Sequence, residues 1–304
     1  MTRSYRYLHL DVFTDRVFGG NQLAVFLDGR GLSAETMQAI AKEMSFSETT
    51  FVLPAERPDT DLRMRIFTPG EELPMAGHPT IGSAFALARA GTIGPDRDRL
   101  VFGLGIGPVP VALAWRGAAL SFVWMTQPAP RFGDILPDPG RAAAALGLPA
   151  AAVTATGLPV QVVSCGVPYL FVPLATRRAV DSAALDRGRF AALRDAAQIS
   201  VHGVFLFSPE PGADKATVYS RMFAPDLGIA EDAATGSASG PLGCYLLRHR
   251  VVTPEKAELM LSLQGVAMGR PSDVHISIGV DEGEIVDVRV GGQAVLAGEG
   301  TLYL

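Results

Sequence analysis

The sequence predicts a mixed α/β protein built from two related halves, and three observations carry that prediction. Short runs with strand alternation take turns with stretches at helical spacing along the whole chain. A motif near residue 70 recurs near residue 230. The 304 residues, 48% hydrophobic and 19% charged, suffice for two separate cores and are far from a disordered composition.

The repeat shows most clearly in two helix entries. Arg65 to Leu87 reads RIFTPGEELPMAGHPTIGSAFAL and Arg221 to Arg250 reads RMFAPDLGIAEDAATGSASGPLGCYLLRHR. Arg65, Phe67 and Pro69 match Arg221, Phe223 and Pro225 at one constant offset. Gly77 and Gly236 then match after a three-residue insertion in the second copy. Each glycine opens a small-residue, apolar helix with a polar side chain at the next position, His78 or Ser237. The likeness extends backwards, from a helix pattern and the strand TTFVLP ending at Pro54 to a helix pattern and the strand VFLFSP ending at Pro209.

The elements follow in order. Arg6 to Phe13 alternates as a first strand and Asn21 to Leu27 as a second, with Gly19-Gly20 supplying the tight backbone between them. Ser33 caps AETMQAIAKEM, whose Met37, Ile40, Ala41 and Met44 recur at helical spacing. Leu62 to Thr68 is a strand and His78 to Ala90 the first motif helix. Leu100 to Trp115 and Ala119 to Met125 form a strand pair turning at Arg116-Gly117. Thr126 to Pro130, with two prolines and no periodicity, is the linker, which divides the chain into domains 1–127 and 128–304. In the second domain a short Ala-rich helix precedes the strands VQVVSC and YLFVPL. After the second motif helix come strands at Ala257 to Gln264, Asp273 to Val280, Ile285 to Val290 and Gly300 to Leu304. The sequence leaves open whether the last of these returns to the first domain.

Glu231 to Ser237 places two carboxylates, two hydroxyls and a glycine at a helix entry, where unpaired N–H groups and the dipole favour a bound anion. Taken alone, the segment is no more than a capped helix start, with Thr235 or Ser237 as N-cap and Asp232 as a favourable first-turn charge. The second copy is what marks it as a site. Glu48 faces Gly203 in the repeat alignment, so one half offers a carboxylate where the other offers none. His78, in the first turn of its helix, is expected to be a neutral hydrogen-bonding partner, because the dipole there disfavours an imidazolium. His9, His202, His249 and His275 have no comparable motif around them.

A net charge of −5 without any basic block argues against nucleic-acid binding, which leaves a small molecule as the expected partner. Cys165 and Cys244 are the only cysteines and supply neither a disulfide framework nor zinc spacing. The N-terminus lacks a signal-like apolar core, and a cytoplasmic protein is expected. Ala142 to Thr176 carries no charge, but four prolines interrupt it, so it is not expected to span a membrane. The run Gly103-Leu104-Gly105-Ile106-Gly107 has the wrong spacing for a dinucleotide fingerprint.

With SETTFVL at 47–53, FTPGEELPMAGHPTIG at 67–82, EDAATGSASGPL at 231–242 and LQGVAMGRPS at 263–272, the chain resembles the PhzF family of phenazine-biosynthesis isomerases. The motifs lie in order and cover both halves. The resemblance implies a diaminopimelate-epimerase-like fold of two similar α/β domains, each a curved mixed sheet wrapped around a central helix, with the active site in the cleft between them. It implies that Glu48 is the proton-carrying glutamate and that His78, Asp232 and Ser237 hold and polarise the substrate, with Gly77, Thr235 and Gly236 forming the binding turns. Characterised members isomerise trans-2,3-dihydro-3-hydroxyanthranilate with no metal and no organic cofactor, and they form homodimers.

The racemases and epimerases of that fold carry a cysteine before each motif glycine, whereas this chain has Ala76 and Thr235 there. Two-thiol stereoinversion is therefore disfavoured. A single carboxylate that takes a proton from one carbon and returns it to another suits an allylic isomerisation instead. The leading expectation is a cofactor-independent isomerase of a small amino acid-like carboxylate. The alternatives are an isomerase or epimerase of another small acid, and a binding protein that keeps the site but performs no turnover.

Overall fold

The alternating N-terminal run becomes β1, Ser4–Val12, in the computed structural model, which describes residues 3–304. It pairs antiparallel with β2, Asn21–Phe26. Helix α1, Ala34–Met44, begins where the Ser33 hydroxyl accepts the Thr36 N–H and ends at Ser45 in the left-handed region. Its apolar face, Met37, Ile40 and Ala41, packs with Phe26, Phe51 and Phe67. β3, Glu48–Pro54, lies parallel to β2, and β4, Leu62–Phe67, antiparallel to β3. After the short β5, Glu72–Leu73, comes α2, Gly77–Arg89.

The stretch from Leu100 to Trp115, expected as one strand, is two: β6, Arg99–Leu104, and β7, Gly107–Arg116, joined antiparallel. The cause is the glycine run itself, since Gly107 at φ +113° lets the chain reverse where a side chain would be strained. β8, Ala119–Thr126, completes this part.

Beyond the linker, β9, Arg131–Ile135, was not legible, because its residues are mostly polar and exposed and show no alternation. There follow α3, Pro139–Ala145; α4, Ala151–Thr154; β10, Gln161–Ser164; β11, Pro168–Pro173; α5, Arg177–Ser182; and α6, Arg187–Ala197. β12, Gly203–Ser208, β13, Val218–Ala224, and the short β14, Ile229–Asp232, lead into α7, Gly236–Arg248. β15, Met260–Gln264, β16, Ser272–Asp281, β17, Glu284–Gly292, and β18, Ala294–Tyr303, end the chain.

Two compact units result: Met1–Thr126 with Arg289–Leu304, and Gln127–Val288. The C-terminal segment thus groups with the first unit, whereas a boundary at the linker alone would carry the second domain to residue 304. The reason is pairing. β18 runs antiparallel along the whole of β1, and Arg289–Gly292 of β17 pairs with β8. In the first unit the strand order is β18, β1, β2, β3, β4, β6, β7, β8, β17. In the second it is β9, β10, β11, β12, β13, β15, β16.

Helix α2 touches β1, β2, β3, β8 and β18, strands from both edges of its sheet, and it is buried from Gly77 through Leu87. A helix buried on every side must be apolar or small all round, which explains its run of Gly, Ala and Ser. Helix α7 repeats this against β10, β11 and β16, buried from Gly236 through Leu246.

The duplication extends to individual contacts. β3 lies parallel to β2 as β12 does to β11, and Thr49 pairs with Phe67 as Val204 pairs with Phe223. The Arg65 guanidinium forms a double hydrogen bond to Glu72 and stacks over Phe67. Arg221 does the same with Glu231 and Phe223. The first ion pair spans 7 residues and the second 10, so the three-residue insertion falls inside the turn that each pair closes.

Candidate active site

Strand ends and a helix start assemble one polar set in the first unit. Asn21 opens β2, Glu48 opens the adjacent parallel β3, and His78 lies in the first turn of α2. All three are buried, Glu48 at 7% exposure and His78 at 3%. Glu48 Oε2 stands 2.9 Å from His78 Nδ1. The Ser47 hydroxyl donates to Asn21 Oδ1 at 2.8 Å, which turns the Asn21 amide nitrogen toward His78 Nδ1, 3.3 Å away. Nδ1 therefore faces a carboxyl oxygen on one side and an N–H donor on the other. When Glu48 is ionised, Nδ1–H donates to it. When Glu48 carries a proton, its O–H donates to the single lone pair of Nδ1. Both protonation states of Glu48 have a hydrogen-bonding arrangement here.

The second unit builds a different set at the start of α7. Asp232 ends β14 and Thr235 is the N-cap residue, but the Thr235 side chain makes no capping bond. Its hydroxyl donates to Asp232 Oδ2 at 2.7 Å instead. Thr235 is therefore not an ordinary cap. Gln264, at the end of β15, accepts the Thr235 N–H at 3.0 Å and donates to the Asp232 carbonyl at 2.9 Å and to Thr235 Oγ1 at 3.0 Å. The next residue must be Gly265, at φ +75°, because a Cβ there would lie 2.5 Å from the Ala233 carbonyl oxygen. Gln127 donates to the Gly236 carbonyl at 2.9 Å, and Ser237 Oγ is 2.8 Å from the Tyr169 hydroxyl.

Glu48, His78 and Gly77 thus belong to the first unit, and Asp232, Thr235, Gly236 and Ser237 to the second. The sequence reading missed Asn21, Ser47, Gln127, Tyr169 and Gln264. Ser47 and Gln264 lie within the motifs SETTFVL and LQGVAMGRPS, so a signal for them existed. Tyr169 gave none, since it reads as one more apolar residue of a core strand.

Thiols play no part at either helix entry, where Ala76 and Thr235 are the N-cap residues. Cys165 and Cys244 are both fully buried elsewhere. Their mutual hydrogen bond, together with burial, pushes the Cys165 thiol far above its usual range, which makes a thiolate nucleophile inaccessible there.

A small-residue helix sheathed by a curved mixed sheet, built twice, defines the epimerase-like class of α/β proteins. A hydroxyproline epimerase from Agrobacterium vitis shares this fold, with a TM-score of 0.69 at 14% identity over 99% of this chain and 93% of its own. The chain belongs to the PhzF family: residues 10–300 match the family model described as phenazine biosynthesis-like protein. It is 38% identical over 99% of its length to the whole of the trans-2,3-dihydro-3-hydroxyanthranilate isomerase of Pseudomonas aeruginosa. The crystal structure of the Bacillus anthracis PhzF-family phenazine biosynthesis protein superposes with a TM-score of 0.87 at 26% identity, covering 99% of this chain and all of that one. The protein is an isomerase of this family. No helix among the described residues is long and apolar enough to cross a membrane.

Proposed function

We propose that the protein isomerises a small, cyclic, amino acid-like carboxylate of the dihydro-hydroxyanthranilate type by moving one proton on Glu48, with no metal or organic cofactor. The observation that carries this reading is the Glu48–His78 contact at 2.9 Å, a buried carboxyl with a partner that serves it ionised or protonated. In the reaction, the Glu48 carboxylate takes a proton from a ring carbon. The C–H electron pair enters a new double bond, the existing double bond shifts, and the protonated Glu48 returns its proton to the far carbon. General acid–base work of this kind needs one group in both states. Asp232 receives an ammonium or hydroxyl of the ligand, and Ser237 and the Gly77 and Gly236 turns receive its carboxylate, the anion that a helix N-terminus favours. The relative named for trans-2,3-dihydro-3-hydroxyanthranilate supports this substrate class. The protein acts as a cytoplasmic homodimer in this reading, and sedimentation at micromolar concentration checks the association.

The direct test is solvent exchange. Incubated in deuterium oxide with trans-2,3-dihydro-3-hydroxyanthranilate, the protein should introduce deuterium at the ring carbon that is reprotonated, read by mass spectrometry. A thermal shift with the ligand but neither exchange nor isomerised product would make it a binding protein, and exchange into a different small acid would reassign the substrate.

A further inference from the structure

The second unit carries a buried polar trio that the first unit replaces entirely with apolar residues. Met222 pairs with Asp232 as Ile66 pairs with Leu73. Thr235 and Ala76 are equivalent N-cap residues. The parallel pairings of β15 with β13 and of β6 with β4 set Gln264 opposite Leu104 in the repeat. Leu73, Ala76 and Leu104 are thus exchanged as a set for Asp232, Thr235 and Gln264, which points to a single device in the second copy.

Its hydrogen bonds run in only one sense. The Thr235 N–H is a donor and the Asp232 carbonyl an acceptor, so Gln264 must direct Oε1 to the first and Nε2 to the second. The amide cannot flip without breaking both. The remaining Nε2 proton then points at Thr235 Oγ1, which makes that oxygen an acceptor and leaves its one proton for Asp232 Oδ2 at 2.7 Å. A carboxyl oxygen that receives a hydrogen bond is favoured in its ionised form. Gln264 is fully buried, and Thr235 and Asp232 are each 5% exposed, so these bonds act where the dielectric is low.

We propose that Gln264 is a positioning residue: by fixing the direction of the Thr235 hydroxyl it presents Asp232 as an oriented, ionised acceptor, which selects ligands bearing an ammonium group beside their carboxylate. This rests on Asp232 facing the ligand, as in the function proposed above, but not on turnover.

Two probes separate selection from mere folding: 2-aminocyclohexanecarboxylate and cyclohexanecarboxylate, titrated calorimetrically into the purified protein. Wild type should prefer the amino compound. Gln264→Leu, which installs the residue of the first copy, should reduce that preference about tenfold, the scale of a charge-assisted hydrogen bond, while the desamino compound binds as before. Thr235→Val should do the same and Thr235→Ser should retain the preference. In Asp232→Asn, adding Gln264→Leu should cause no further loss of preference, because both act through one carboxylate. The proposal is overturned if wild type shows no preference, if Gln264→Leu weakens both probes equally, or if Thr235→Val keeps the selectivity. Should Gln264→Leu fail to fold, the Thr235 pair decides the matter. Absence of both deuterium exchange and isomerised product in the wild type, with the probe preference intact, would refute the isomerisation chemistry and leave the role of Gln264 standing.

Discussion

Glu48 and Gly203 occupy the same position in the two copies: each is the first residue of its strand, paired across a parallel register with Leu23 or Tyr169. The copies have diverged there for a steric reason. A Cβ on residue 203 would lie 2.5 Å from the Phe223 carbonyl oxygen and 3.2 Å from the Ala224 Cβ, so β12 has no room for a side chain at its start. In that half Tyr169, on the neighbouring strand, meets the helix residue Ser237, as Glu48 meets His78 in the first.

Restoring symmetry should therefore fail. Gly203→Ala should destabilise the protein by about 1–3 kcal/mol, the usual cost of overpacking, because the nearest atom it meets, the Phe223 carbonyl oxygen, is backbone and cannot rotate away. Urea denaturation measures this, and a variant as stable as wild type would refute the steric account.

Glu48→Gln should lower the rate of proton transfer about 10²-fold or more while leaving the fold and much of the ligand affinity intact. Glutamine keeps the size and one acceptor but cannot carry the proton. His78→Ala should instead weaken binding and rate together, because its proposed role is to hold and polarise the ligand. Wild-type deuterium exchange in Glu48→Gln would remove Glu48 as the shuttle and make Asp232 the next candidate base.

The paired arginines should differ in worth. Arg221 is buried, bound twice to Glu231, and its Nη1 also donates to the carbonyls of Val180, Asp181 and Ala183. The Arg65 guanidinium, besides stacking over Phe67, hydrogen-bonds among the described residues to Glu72, whose side chain is 40% exposed. Arg221→Ala strips the partner from a half-buried carboxylate and three carbonyls and should cost about 3 kcal/mol, the low end for a buried pair. Arg65→Ala should cost about 1 kcal/mol or less in its charge interaction. Urea midpoints for the two variants compare them directly.

The duplication was legible because a repeat is a property of order, and Arg65, Phe67, Pro69 and Gly77 recur as Arg221, Phe223, Pro225 and Gly236. Glu48 and His78 were legible through their motifs and through the asymmetry with Gly203. What stayed hidden was set by tertiary pairing. β18 looks like a short terminal strand until β1 is placed beside it, and Tyr169 looks like core until Ser237 is seen to meet its hydroxyl. Gln264 stood within a motif, but its role was not readable there, because what defines it is three bonds to residues about thirty positions upstream.

The last expectation concerns acid. His249, just past the end of α7, is half-buried against Tyr245, with ring centroids 4.4 Å apart, and its Nε2 lies 2.8 Å from Gln161 Oε1. Gln161 donates its amide N–H to the Gly133 carbonyl, so Oε1 is an acceptor and Nε2 carries the hydrogen. Burial, and then the neighbouring Arg248 charge, hold the His249 pKa below its usual value. Burial likewise lowers that of His275, partly offset by Asp273. In the unfolded chain both titrate near pH 6.5, at about their ordinary value. A lowered folded pKa means that the unfolded state binds the proton first, so the stability is complete above about pH 6.5 and is lost as pH falls toward the folded values. Each histidine contributes a slope of at most about 1.4 kcal/mol per pH unit in that window. The urea midpoint of the wild type should therefore fall between pH 7.5 and 5.5, before most carboxylates protonate. His249→Asn, which cannot titrate, should show a shallower decline over the same range. An equal slope in the variant would mean that His249 takes up its proton no later in the folded protein than in the unfolded chain.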